Sequence, residues 1–188
     1  MGYSEILLYC RRAAGFALPF GAIWLAARVL WQLMRRRKIS ARREALHFVF
    51  AVYLAALLQI TVWRSGPDWQ AIAQGGGHAE AQLTLLNTTL RHWRVGGWTF
   101  VYHAVGNLGW FVPFGLLLPP VRRRWNLAET VLAGLLLSTG IEALQWFLRT
   151  GITDIDDVLL NALGALLGYL IAATGRGISR RVHTTNES

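Results

Sequence analysis

STGIEALQWFLRTGITDIDDVLLNALGALLG, residues Ser138–Gly168, decides the fold. Its two ends are apolar enough to lie in lipid and its middle is a short acidic turn. It therefore reads as the end of one membrane-spanning helix and the start of the next. Within it Glu142, Gln145, Asp154, Asp156, Asp157 and Asn161 place polar groups in or beside the spans. One ionisable side chain near the centre of a spanning helix costs about 2.5–3.5 kcal/mol on insertion scales. Such groups persist where a partner or a ligand offsets that cost.

Working outward, the 188 residues are 54% hydrophobic and 15% charged, with nine Trp, which excludes an ordinary soluble domain. A span needs about 20 mostly apolar residues. Runs of that kind occur at Ala13–Met34, Ala45–Trp63, Trp98–Pro119, Leu127–Phe147 and Val158–Thr174. The fold class predicted is all-α: a polytopic membrane helical bundle of about five transmembrane helices with one longer extracytoplasmic loop. The chain divides into an N-terminal span and basic loop (1–44), a transmembrane domain (45–174) and a polar tail (175–188) that frays. Met1–Arg12 reads as a polar lead without the pattern of a removable signal peptide. The single cysteine, Cys10, excludes an internal disulfide.

Residues 64–98 form the long loop, loosened at Gly75-Gly76-Gly77. Leu83, Leu86, Leu90 and Trp93 fall at helical spacing, as in a segment lying in the headgroup plane, and a flexible tether is the other reading. The net charge of +9 comes from basic residues placed between apolar runs, which points to membrane topology and anionic headgroups rather than nucleic acid. With five spans, twelve of the nineteen Lys and Arg fall on one side and six on the other. The remaining one, Arg28, reads as a snorkelling anchor inside the first span. The richer side is expected to be cytoplasmic. That places the C-terminus inside and the N-terminus, the long loop and the acidic turn 149–157 outside.

At a 1.5 Å rise per residue, Asn107 lies about 9–13 Å and Glu142 about 8 Å below the outer ends of their helices. Asn161 lies one turn inside the fifth span, so the three are predicted to share a level. His103 stands four residues before Asn107 and Asp157 four before Asn161, with Asp154 and Arg149 closing the top. On the fourth helix Ser138, Glu142, Gln145 and Arg149 share one face. The predicted ligand-binding set is His103, Asn107, Glu142, Gln145, Arg149, Asp154, Asp157 and Asn161, with Glu142, Asp154 and Asp157 the candidates for any catalytic role. The plainer explanation stands beside it. Asn and Gln glue helices together, Gly164 and Gly168 make a small-xxx-small packing step, and Asp157 serves as the N-cap of the fifth helix. A metal held by His103, Glu142 and Asp157 has no tight ligand motif behind it, so no metal and no cofactor are expected.

Three blocks carry a family resemblance: NLGWFVPFGLLLP (Asn107–Pro119), STGIEALQ (Ser138–Gln145) and DIDDVLLNALGALLGYL (Asp154–Leu170). Together they resemble the VanZ-like family of small bacterial membrane proteins, and LLN at Leu85–Asn87 is similar to a softer family element. The resemblance runs from the second span through the fifth. It implies a role in the cell envelope, in the bacterial plasma membrane, and in protection against lipid-tailed glycopeptides of the teicoplanin type. The partners implied are membrane lipids or lipid-linked envelope molecules and the antibiotic itself; a homo-oligomer stays open on the sequence.

Three function classes stay open on the residues alone. In the first, the chain binds a lipid headgroup, a lipid-linked precursor or a lipoglycopeptide in an outer-leaflet polar pocket. In the second, it is a membrane enzyme that modifies an envelope lipid headgroup, with Glu142 as general base. In the third, it is a small proton-coupled transporter. No recognisable nucleophile accompanies Glu142, which favours binding.

Overall fold

The computed structural model describes residues 3–63, 66–67, 69–74, 79–122 and 125–185. Seven helices occur among them: α1 (Tyr3–Met34), α2 (Ala41–Thr61), α3 (Trp69–Ala73), α4 (Asn87–Val95), α5 (Gly97–Val121), α6 (Leu127–Leu148) and α7 (Ile155–Thr185). Two short strands, β1 (Ala81–Gln82) and β2 (Thr153–Asp154), pair with each other. Five helical stretches are long and apolar enough to cross a membrane: Arg11–Met34, Ala41–Thr61, His103–Val121, Leu127–Leu148 and Ile155–Gly175. Large apolar side chains along them are exposed, among them Ile23, Leu30, Val105, Leu132, Leu136 and Ile171. That exposure suits a lipid solvent, in which only helices and closed barrels satisfy their own backbone. The all-α, multi-pass expectation is met.

The chain forms two compact units, Met1–Ala81 with Ile141–Thr153, and Gln82–Gly140 with Asp154–Ser188. In the first, α1 and α2 make an antiparallel hairpin. Phe48 and Val52 lie so close to Gly21 that a side chain there would overlap Val52. Arg28, read as a snorkelling anchor, donates from its Nε to buried Glu44 across the hairpin at 2.6 Å. Arg43 Nε lies 3.5 Å from the other Glu44 oxygen, so the buried carboxylate is held between two guanidinium groups. At the far end of α2, Gln145 Nε2 donates to the Thr61 carbonyl at 3.0 Å, satisfying one of the orphan acceptors at a helix C-terminus.

In the second unit α5 and α7 run parallel in backbone contact. A Cβ at Gly164 would overlap the Leu108 carbonyl, one at Gly168 the Val112 carbonyl, and one at Gly115 the Ala165 carbonyl. Phe111, Phe114, Leu118, Ala162 and Ala165 are buried around this seam. The first part of α6 joins it: Gly134 lies against the Ala165 methyl, and Asn161 Nδ2 donates to Ser138 Oγ at 2.8 Å, both residues buried. The start of α6 is a reciprocal capping box. The Glu129 amide donates to Asn126 Oδ1 and the Asn126 amide to the Glu129 carboxylate, so helix entry is closed by local chemistry.

Several boundaries differ from the sequence reading. The helix begins at Tyr3 rather than after a polar lead, and α7 continues to Thr185, since no proline stops it after Gly175. Of the four apolar residues expected on one helix in the loop, only Leu90 and Trp93 lie on α4. Leu83 precedes it, and Leu86 sits at its entrance with φ of 59°. The Gly75-Gly76-Gly77 stretch and Arg64 lie outside the described residues.

Replacing Gly164 by Leu should destabilise the second unit by about 1–3 kcal/mol or more, because backbone has to move to admit the side chain. Gly106→Ala, on α5 but facing open space, should be neutral or slightly stabilising. Thermal unfolding of both variants in detergent, followed by size-exclusion recovery, checks the contrast. Equal melting temperatures would refute the packing assignment.

Candidate functional site

The DIDD segment, Asp154–Asp157, spreads three carboxylates over three tasks. Asp154 is the N-cap of α7: its Oδ1 accepts the Asp156 amide at 2.9 Å. Asp157, for which capping was the plainer reading, instead faces α5. Its Oδ1 accepts Asn107 Nδ2 at 2.5 Å and lies 3.1 Å from His103 Nε2. Asp156 caps a different helix. Its two oxygens accept the amides of Leu86 at 2.5 Å and Thr89 at 2.9 Å at the entrance of α4, and the residue is only 1% exposed. The reason is local. The N-cap position of α4 is Leu86, whose side chain offers no acceptor, so the orphan amides need an acceptor from elsewhere. A carboxylate there also complements the positive end of the α4 dipole.

Around Asp157 three elements meet. Helix α4 contributes His92, α5 contributes His103 and Asn107, and the start of α7 contributes Asp154 and Asp157. The His92 and His103 rings lie 4.5 Å apart between centroids. Donor atoms of His103, Asp154 and Asp157 all fall within 4.8 Å of one another. Burial holds His92 below the ordinary imidazole pKa, aided by His103 and Arg91 and opposed by Asp154 and Asp157. The sharp passage from α4 into α5 that sets the two histidines side by side runs through Gly96, at φ 153°. That backbone is one side chains rarely adopt.

This cluster sits at the edge of the membrane-spanning segments. His103 opens the third candidate span and Asp157 falls in the first turn of the fifth. Trp93 stacks edge-on against Phe100 with centroids 5.2 Å apart, and Trp98 is 88% exposed. Exposed Trp beside a polar cluster at the end of an apolar span is the composition of a membrane interface.

Of the eight predicted site residues, the structure thus brings His103, Asn107, Asp154 and Asp157 together. Asn161 belongs to the same unit, and its amide bonds Ser138 one turn further along α7. Glu142, Gln145 and Arg149 belong to the first unit. Glu142 is buried there, and its carbonyl accepts Thr153 Oγ1 at 3.0 Å. The Thr153 amide donates to Glu80 and the Ala79 amide to Trp146, stapling the long loop to the end of α6. Arg149 follows that helix in left-handed conformation, with φ of 56°, and the Thr150 amide returns to the Gln145 carbonyl. Sequence reasoning missed Glu44, Asp156 and His92. The missing acceptor at Leu86 was the one available signal for Asp156.

The comparison with known families bears on the same segments. The model of the VanZ/LLP1 family matches residues 50–176, a stretch containing α5, α6 and all three carboxylates. The chain belongs to that family. The match starts within α2, so α1 and its Arg28–Glu44 pair lie outside the VanZ portion. No curated protein and no solved structure matches the chain.

Asp156→Ala should strand both α4 amides, at about 1–3 kcal/mol for each buried unsatisfied group. Hydrogen exchange resolves this: amides 86–92 should lose protection while those of α6 keep theirs. Asp156→Asn, which retains an acceptor oxygen, should lose less. Unchanged exchange in Asp156→Ala would remove Asp156 from the capping role.

Proposed function

We propose that this VanZ-family protein is a non-enzymatic binder in the cell envelope. It would hold the polar head of an amphiphile (a lipid headgroup, a lipid-linked precursor or a teicoplanin-type lipoglycopeptide) against the His103–Asn107–Asp154–Asp157 cluster. The observation that carries the reading is the position of that cluster. Two carboxylates, an amide and an imidazole gather at the end of apolar spans, beside exposed Trp93 and Trp98. Carboxylate and amide oxygens accept from ammonium and hydroxyl groups, and lipid-facing helix surfaces take an acyl chain. Binding an acylated glycopeptide there would lower its free concentration at the membrane, and a contribution to resistance follows.

Charge asymmetry supports the orientation that suits this role. The basic stretch Arg35–Arg43 and Arg122–Arg124 would face the cytoplasm of a bacterial plasma membrane, and the acidic cluster the outside. A second reading rests on Glu142, an acid only 5% exposed within an apolar helix. In that reading it is the general base of an enzyme acting on a lipid headgroup.

Titration of the purified protein in nanodiscs with teicoplanin, followed by tryptophan fluorescence, tests the proposal. Saturable binding is expected, weakened by roughly tenfold or more in Asp157→Asn, which is about 1.4 kcal/mol. The deacylated glycopeptide core should bind far more weakly. Binding that Asp157→Asn leaves intact would overturn the site. Chemical turnover of envelope lipids by the native protein, abolished in Glu142→Gln, would favour the enzyme instead.

A further inference from the structure

The same cluster holds a set of donors that headgroup binding does not require. A ring nitrogen of His103, a carboxylate oxygen of Asp154 and one of Asp157 lie mutually within 4.8 Å, and His103 Nε2 is 3.1 Å from Asp157 Oδ1. In a four-coordinate zinc site with bonds of about 2.0–2.2 Å, ligand atoms stand roughly 3.2–3.6 Å apart. Small side-chain rotations therefore suffice to close these three donors on one ion. A separate observation supplies the fourth. His92 presents its ring to His103, and its Nδ1 atom is buried with no hydrogen-bond partner among the described residues. A buried imidazole nitrogen without a partner is uncommon in a folded protein. The His92 ring lies 4.5 Å from that of His103, and Asp154 and Asp157 are near enough for their charges to act on it.

We propose that His92, His103, Asp154 and Asp157 form a binding site for one first-row divalent cation, of which Zn²⁺ is the best match. The donor chemistry selects the class. Two imidazoles suit zinc and its neighbours, whereas Mg²⁺ and Ca²⁺ prefer all-oxygen shells. Two carboxylates neutralise the dication, which makes its burial at the edge of the apolar spans tolerable. Asn107, which donates to Asp157 at 2.5 Å, would orient that carboxylate from outside the ligand set. Placement is also economical. Each ligand stands on a regular helix or at its N-cap, and three separate elements contribute, so the ion would tie α4, α5 and α7 together. Where the headgroup reading also holds, the cation would let an otherwise anionic cluster accept a phosphate oxygen. That consequence rests on the headgroup reading; the cation site does not.

The test uses the full-length protein in nanodiscs, with its affinity tag removed, in a Cys10→Ser background, and with Zn²⁺ alone as the probe. After stripping with chelator, titration against a chromophoric competitor should show one Zn²⁺ per chain. His103→Gln, His92→Gln and Asp157→Asn should each weaken binding by more than roughly tenfold. Glu129→Gln, whose capping box survives the change, should match the parent. X-ray absorption on the zinc-loaded native chain guards against variants that fail to fold. It should show a shell of two imidazoles with oxygen and no sulfur. No saturable binding, or equal affinity in His103→Gln, overturns the site, as does a sulfur shell. Because Zn²⁺ is the only species titrated and no antibiotic is present, failure here leaves the headgroup reading standing, and failure of teicoplanin binding leaves this site standing.

Discussion

The carbonyls of Leu108, Val112 and Ala165 fill the space where side chains at Gly164, Gly168 and Gly115 would otherwise stand, and the rest of the second unit follows from that contact. Lipid tails are as apolar as leucine, so burying leucine against leucine gains little between helices in a membrane. Close backbone approach gains dispersion contacts instead, and it sets register, since a carbonyl seated over a glycine has few alternative positions. With α5 and α7 parallel and locked this way, the residues towards their N-termini have no freedom over whom they meet. His103 and Asn107 meet Asp157 because the glycines further along have already fixed the pairing.

From that register the three aspartates of one short segment take on different chemistry. Asp154 closes its own helix, Asp156 closes another, and Asp157 turns inward to an imidazole and an amide. Two of these roles satisfy backbone amides, through carboxylates that are themselves buried. The Asp156 carboxylate also ties down the entrance of α4, the helix on which His92 lies against His103. The polar cluster is thus a by-product of closing helix ends and, equally, a concentration of donors and acceptors that helix closure alone does not need.

Much of this was legible in the chain. Spans are visible as apolar runs because lipid imposes one length scale. Gly164 and Gly168 announced close packing by their spacing, and His103, Asn107 and Asp157 could be grouped by counting turns from the helix ends. Glu44 was hidden because it lies in a basic stretch, where it reads as a surface residue. Only the fold of the α1–α2 hairpin puts it opposite Arg28. Asp156 was hidden because its partners are backbone amides about seventy residues away in sequence, which leave no side-chain pattern to read. His92 escaped notice for a similar reason. Nothing in the spacing of His92 and His103 shows that the chain turns sharply at Gly96 between them.

Membership of the VanZ/LLP1 family and the placement of a polar cluster at the end of apolar spans together support an envelope protein that handles the head of an amphiphile. Glycine-seated packing holds this cluster in register. That dependence is tested most directly by a double-mutant cycle between Asn107 and Asp157, with Asn107→Leu and Asp157→Leu measured by unfolding in lipid. The cycle is run once in the native chain and once in a Gly168→Ala background. A coupling of about 1 kcal/mol is expected in the native chain, within the range seen between membrane helices, and near zero when the methyl group added by Gly168→Ala pushes the helices apart. The same coupling in both backgrounds would contradict it.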